Sequence, residues 1–177
     1  MNVYSHSSSN DWSLNTAEYL VSKKPDASIK LKRLFIILGA LVLAGISCAF
    51  VSKIPALGAV IIVLIAFFVK FFWDYTKIEY EYTIIQGELT MDAIIGAKKR
   101  KKIVSFIIRD AEKIAPYKND APKDIPLINA CASPQNSDTY IAIFKDEKGC
   151  RQALLFSAID KTLEVMSYYN KNAVEKA

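Results

Sequence analysis

34-LFIILGALVLAGISCAFV-51 and 54-IPALGAVIIVLIAFFVKFFW-73 stand almost end to end, with only Ser52-Lys53 between them. The first run contains no charge. At about 1.5 Å of rise per residue it covers roughly 27 Å, close to the ~30 Å hydrocarbon core of a bilayer. The second has one charge, Lys70, near its end, where the amine can reach the headgroups along its own alkyl stem. Both runs are apolar on every side, and a chain of 177 residues has too little mass to wrap two such helices. They predict an antiparallel transmembrane hairpin, since two intervening residues permit no other arrangement.

The ends of the runs are legible. Pro25-Asp26 precedes the first, and Asp26 is a candidate N-cap. Pro55 falls in the first turn of the second, where its missing N–H costs nothing. Trp73 and Tyr75 close the second span and suit the membrane–water interface as anchors. Lys23, Lys24, Lys30, Lys32 and Arg33 precede the hairpin and Lys77 follows it, whereas the turn offers only Lys53. The positive-inside rule then predicts a multi-pass protein of the cytoplasmic (inner) membrane with both termini in the cytoplasm. In the first span, Ala40, Ala44 and Cys48 recur every fourth residue, with Gly45 and Ala49 beside them. Small residues at this spacing let helices approach closely. The partner helix is either the second span or another chain, and a homo-oligomer stays open.

Charge excludes several functions. The net value is +5, yet residues 74–177 hold 16 basic and 15 acidic side chains. The excess belongs to membrane topology, so no nucleic-acid partner is expected. His6 is the only histidine, and Cys48, Cys131 and Cys150 lack metal-binding spacing. No catalytic residue, metal or cofactor is assigned, and the thiols are expected free.

After the hairpin the pattern turns from continuous to alternating. Ile78, Tyr80, Tyr82 and Ile84 alternate with polar residues, Gln86-Gly87 marks a turn, and Leu89, Met91 and Ala93 alternate again. A basic run, Lys98, Lys99, Arg100, Lys101 and Lys102, leads into an isoleucine-rich strand over 103–108, and residues 111–115 suit a short fourth. Residues 117–138 are polar and proline-punctuated, which predicts a functional or loosely ordered loop, with a brief strand within 127–131. A hairpin over 140–156 follows, then Ser157 as a candidate N-cap for a helix over about 158–172. Roughly seven short antiparallel strands and one C-terminal amphipathic helix are thus expected. The domain plan is a polar, partly disordered leader over 1–25, the hairpin over 26–73 and a cytosolic domain over 74–177.

The stretch YEYTIIQGELTMDAIIGAKKRKKIVSFIIRDAEKIAP, residues 80–116, is similar to the first half of bacterial pleckstrin-homology (PH)-like domains that follow membrane spans. AEYLVSKKP, IEYEYTIIQGEL, GAKKRKK and ALLFSAIDKTLEVM extend the likeness over most of the chain from Ala17. Together they resemble an uncharacterised bacterial family of small two-span proteins. The resemblance implies an α+β membrane protein, with the hairpin followed by a PH-like antiparallel β-barrel or sandwich capped by its helix. It implies no activity.

The basic run is the leading candidate for contact with membrane lipid, at about 1 kcal/mol per cation beside an anionic leaflet. The competing reading is a row of lysines that keeps an open sheet edge from pairing. Tyr80, Tyr82, Tyr140 and Phe144 are expected in the core, and Glu79 and Glu81 as exposed strand carboxylates. The chain is read as a non-enzymatic, cytosol-facing interaction module with a protein partner. The alternative is an accessory subunit assembled through the hairpin.

Overall fold

The computed structural model describes residues 16–51, 54–96, 98–122, 124–146 and 148–175, without the side chains of 49–51. His6, the turn residues Ser52 and Lys53, and the side chain of Ala49 lie outside the described residues. The chain divides into two compact units. One comprises Pro25–Ile78 with Ile95–Lys98, and the other the flanking residues up to Lys24, Glu79–Ile94 and everything after Lys98.

The first unit is the helical hairpin, α1 (Ala27–Val51) and α2 (Pro55–Tyr75). Asp26 caps α1 as its sequence implies, its carboxylate accepting the Ile29 N–H at 2.9 Å. Pro55 sits in the first turn of α2. Ala40, Ala44 and the fully buried Ser47 turn toward α2, which answers with Gly58, Ile61, Ile65 and Val69. The Ser47 hydroxyl donates to the Leu43 carbonyl one turn back at 2.7 Å, so no bare polar group enters the seam. Elsewhere the helices leave large apolar side chains bare, among them Phe35, Leu41, Val63 and Phe67, each more than 60 % exposed. Both are long and apolar enough to cross a membrane, and only 6 % of each span is buried. A core helix of a soluble fold hides its apolar surface; these point to membrane association.

The second unit carries two four-stranded sheets. β1 (Ala17–Ser22), β2 (Ile78–Ile85), β3 (Glu88–Ile95) and β4 (Lys99–Ile107) are neighbours in that order. β5 (Lys113–Pro116), β6 (Leu127–Asn129), β7 (Thr139–Lys145) and β8 (Arg151–Ser157) form the other, in the order β5-β7-β8-β6. α3 (Asp160–Tyr169) follows. This is the α+β order of strands and closing helix that the sequence implied. The sheets remain two and do not close into a barrel.

Residues 17–22 supply a strand that the sequence pattern does not announce: β1 pairs antiparallel with β2, Ala17 opposite Ile84 and Ser22 opposite Glu79. The seven strands expected after the hairpin are all present, but not all are antiparallel: β6 runs parallel to β8. Tyr117 and Ile125 close over Cys131, Ile141, Ala153 and Leu155 on the outer face of the second sheet. Finally, Ser157 does not cap α3. Ser157 ends β8, and its hydroxyl accepts the Ala132 N–H at 3.1 Å, so the helix begins three residues later without a side-chain cap.

The inner faces of the sheets make the main core. Phe106 of β4 stacks on Phe144 of β7 at 4.2 Å, and Tyr19 of β1 stacks on Tyr82 of β2 at 4.5 Å. Tyr80, Tyr82, Tyr140 and Phe144 are all buried, as their alternation required. The stacked phenols are both bonded: Tyr19 donates to the Ser157 carbonyl at 2.6 Å and Tyr82 to that of Ala130. Burial raises the pKa of both phenols well above the usual tyrosine value, and likewise that of the Cys131 thiol. α3 lays Leu163, Val165 and Met166 into this core. Just beyond it, the Asn170 side-chain amide donates to the carbonyls of Ile108, Arg109 and Ala111 at 3.0–3.1 Å, tying the helix end to the turn after β4. The outer edge of β5 is taken by the C-terminal segment, with Ile114 bonded to Ala173 and Glu175.

Candidate functional site

The basic run lies where β3 hands over to β4. Lys98 belongs to the hairpin unit. Its N–H closes a turn onto the Ile95 carbonyl, and its ammonium lies 5.4 Å from the centre of the Phe71 ring in α2. Lys99, Arg100, Lys101 and Lys102 open β4, the end strand of its sheet, and all four are exposed. A strand at that position offers unpaired backbone groups along one side, and flanking cations discourage a second strand from joining.

The four are not equivalent. The Arg100 guanidinium meets the Glu81 carboxylate at 2.6 Å. Glu81 is 8 % exposed, contrary to the open carboxylate its alternation implied. It lies in β2, an interior strand, with Leu20 beside it in register and Arg100 over it. A buried carboxylate needs such a partner, so Arg100 is committed to the fold. Lys99, Lys101 and Lys102 have no ion-pair partner among the described residues. Glu112 pairs with Arg151 at 2.6 Å.

In the hairpin unit, Trp73 is half-buried and holds the Arg33 guanidinium 4.9 Å from its ring centre. Arg33 Nε also donates to Thr76 Oγ1 at 2.9 Å. Sequence reasoning missed this pair, although Arg33 and Trp73 stand almost equally far from the turn and so at one depth of the hairpin. Tyr75 is exposed, its ring 5.0 Å from that of Phe71. The small residues of α1 divide. Ala40 and Ala44 face α2, while Gly45 and Cys48 are exposed on its other sides. No group of three or more metal-ligating side chains gathers among the described residues.

A family model described as "Bacterial PH-like domain (DUF6106)" matches residues 16–176. No curated protein and no solved structure matches the chain. The family match covers β1, both helices of the hairpin, the two sheets and α3, and the chain belongs to this family.

Proposed function

We propose that this PH-like family member is a membrane-anchored, cytosol-facing interaction module, non-enzymatic, which holds a protein partner and meets the anionic surface of the inner membrane through its basic run. Both termini are cytoplasmic in this reading. The observation that carries it is the division within the run: Arg100 is consumed by Glu81, while Lys99, Lys101 and Lys102 are exposed and without ionic partners among the described residues, on a strand that begins just after the hairpin unit. Three cations add about 3 kcal/mol of attraction to an anionic leaflet at low salt.

The test uses the full chain, because β1 precedes the hairpin and a fragment beginning at residue 74 would lack a strand of the sheet. In full-length protein reconstituted into anionic vesicles, acylation of the Lys99, Lys101 and Lys102 amines should run several-fold slower than in zwitterionic vesicles. The difference should vanish at molar salt, where the screening length falls to about 3 Å. Equal rates in both lipids would remove surface contact.

A second reading, assembly of the hairpin with another membrane protein or a second copy, is favoured by Gly45. An added Cβ there meets nothing within 4 Å, and the residue faces away from α2. Gly45→Leu should therefore break a detergent-stable complex while leaving the hairpin intact. An unchanged complex by size-exclusion chromatography with light scattering would rule the reading out.

A further inference from the structure

We infer that the seam of the hairpin is a binding groove for one anionic phospholipid, its acyl chain lying between α1 and α2 and its headgroup on Lys32. This rests on the helices crossing the membrane but not on the basic run of β4.

Two clefts run along the hairpin and share part of their lining. The first, of about 560 Å³, is lined by apolar side chains of both helices, with Gly39 and Ala40 on one wall and Leu64 and Phe68 on the other. The second lies toward the other end of the hairpin and adds Lys32, Tyr75 and Thr76. Phe35, Ile36 and Phe72 line both. The volume falls within the roughly 300–1,000 Å³ typical of ligand pockets. From Lys32 to Leu43 the groove follows α1 for about 17 Å, a length that suits an extended acyl chain.

Gly39 explains why the seam is open. A glycine in a helix usually earns its place by close packing, yet a Cβ added here meets nothing within 4 Å. Gly39 is exposed but lines the cleft, so the missing side chain leaves a notch in its wall, which in a bilayer an acyl chain has the chemistry to fill.

The ends of the groove differ in polarity, and this selects the occupant. Lys32 is exposed and has no ion-pair partner among the described residues, while its neighbour Arg33 is already engaged by Trp73 and Thr76. Thr76 Oγ1 is likewise occupied, donating to the Trp73 carbonyl at 2.7 Å. One ammonium thus remains at the mouth of a hydrocarbon slot, the complement of an anionic headgroup on an acyl tail.

Full-length protein is incorporated into nanodiscs of phosphatidylcholine with a known fraction of phosphatidylglycerol, then released for native mass spectrometry. The single retained lipid should be phosphatidylglycerol, enriched about fivefold over the bulk ratio, the equivalent of ~1 kcal/mol. Lys32→Gln should return the ratio to bulk while keeping the lipid. Gly39→Leu fills the notch and should abolish retention, whereas Leu38→Phe, volume added on the exposed side of α1, should not. Helicity by circular dichroism confirms that each variant folds. Retention at the bulk ratio in the wild type, or equal loss in Gly39→Leu and Leu38→Phe, overturns the groove while leaving the spans standing. Failure to enter nanodiscs at all overturns both.

Discussion

Raising the pH from 10 to 12 is expected to remove up to about 5 kcal/mol of stability from the β-domain, comparable to the whole stability of a marginal domain of about 5–15 kcal/mol. The cause is the pair Tyr19 and Tyr82, stacked on each other and buried between the sheets. Burial raises both pKa values above the unfolded value of about 10, because neither phenolate has water to solvate it. Below pH 10 both rings are neutral in the folded and unfolded chain, and their contribution is complete. Above it the unfolded chain ionises while the fold cannot, and each group costs about 1.4 kcal/mol per pH unit. The Cys131 thiol, also raised by burial, adds in the same direction. Tyrosinate absorbance followed with far-ultraviolet circular dichroism checks this. These two phenols should ionise only together with unfolding. Gradual ionisation of both within an intact fold would show that the stacked pair is not sealed from water.

The parts of this fold readable from sequence are those set by neighbours in the chain. The hairpin rests on composition, and its starts on Asp26 and Pro55, each acting within one helical turn. β2 and β3 rest on strict alternation about Gln86-Gly87. What was illegible depends on partners far away. Residues 17–22 alternate only weakly, and their strand character comes from β2, about sixty residues on and beyond both spans. Glu81 points to the outer side of its sheet as alternation dictates, but Arg100, nineteen residues later, covers it. Ser157 precedes a helix as a cap should, yet the Ala132 N–H takes its hydroxyl first. The basic run was visible as five cations. That one of them is spent on Glu81 followed only from the geometry.

Gly87→Ala is expected to cost about 2–4 kcal/mol, unusually much for one methyl group in a hairpin turn, and two separable effects contribute. Gln86 and Gly87 both have positive φ, 52° and 84°, the conformation that matches a two-residue turn to the twist of its strands. A side chain at Gly87 meets that backbone strain, worth about 1 kcal/mol or more. The second effect is contact. A Cβ on Gly87 would stand 2.8 Å from Cδ1 and 3.0 Å from Cε1 of Tyr169, the last residue of α3. The bare backbone is therefore what lets the β2–β3 turn lie against the helix end, beside the Gly87 carbonyl that accepts the Ile108 N–H at 2.8 Å. Overlap of this kind typically costs 1–3 kcal/mol. Denaturant unfolding of Gly87→Ala, Tyr169→Ala and the double variant separates the two. Removing the ring should relieve the overlap and leave only the backbone share, giving a coupling of about 1–2 kcal/mol. If Gly87→Ala costs the same with and without the Tyr169 ring, the turn does not rest on the helix, and its glycine answers to backbone geometry alone.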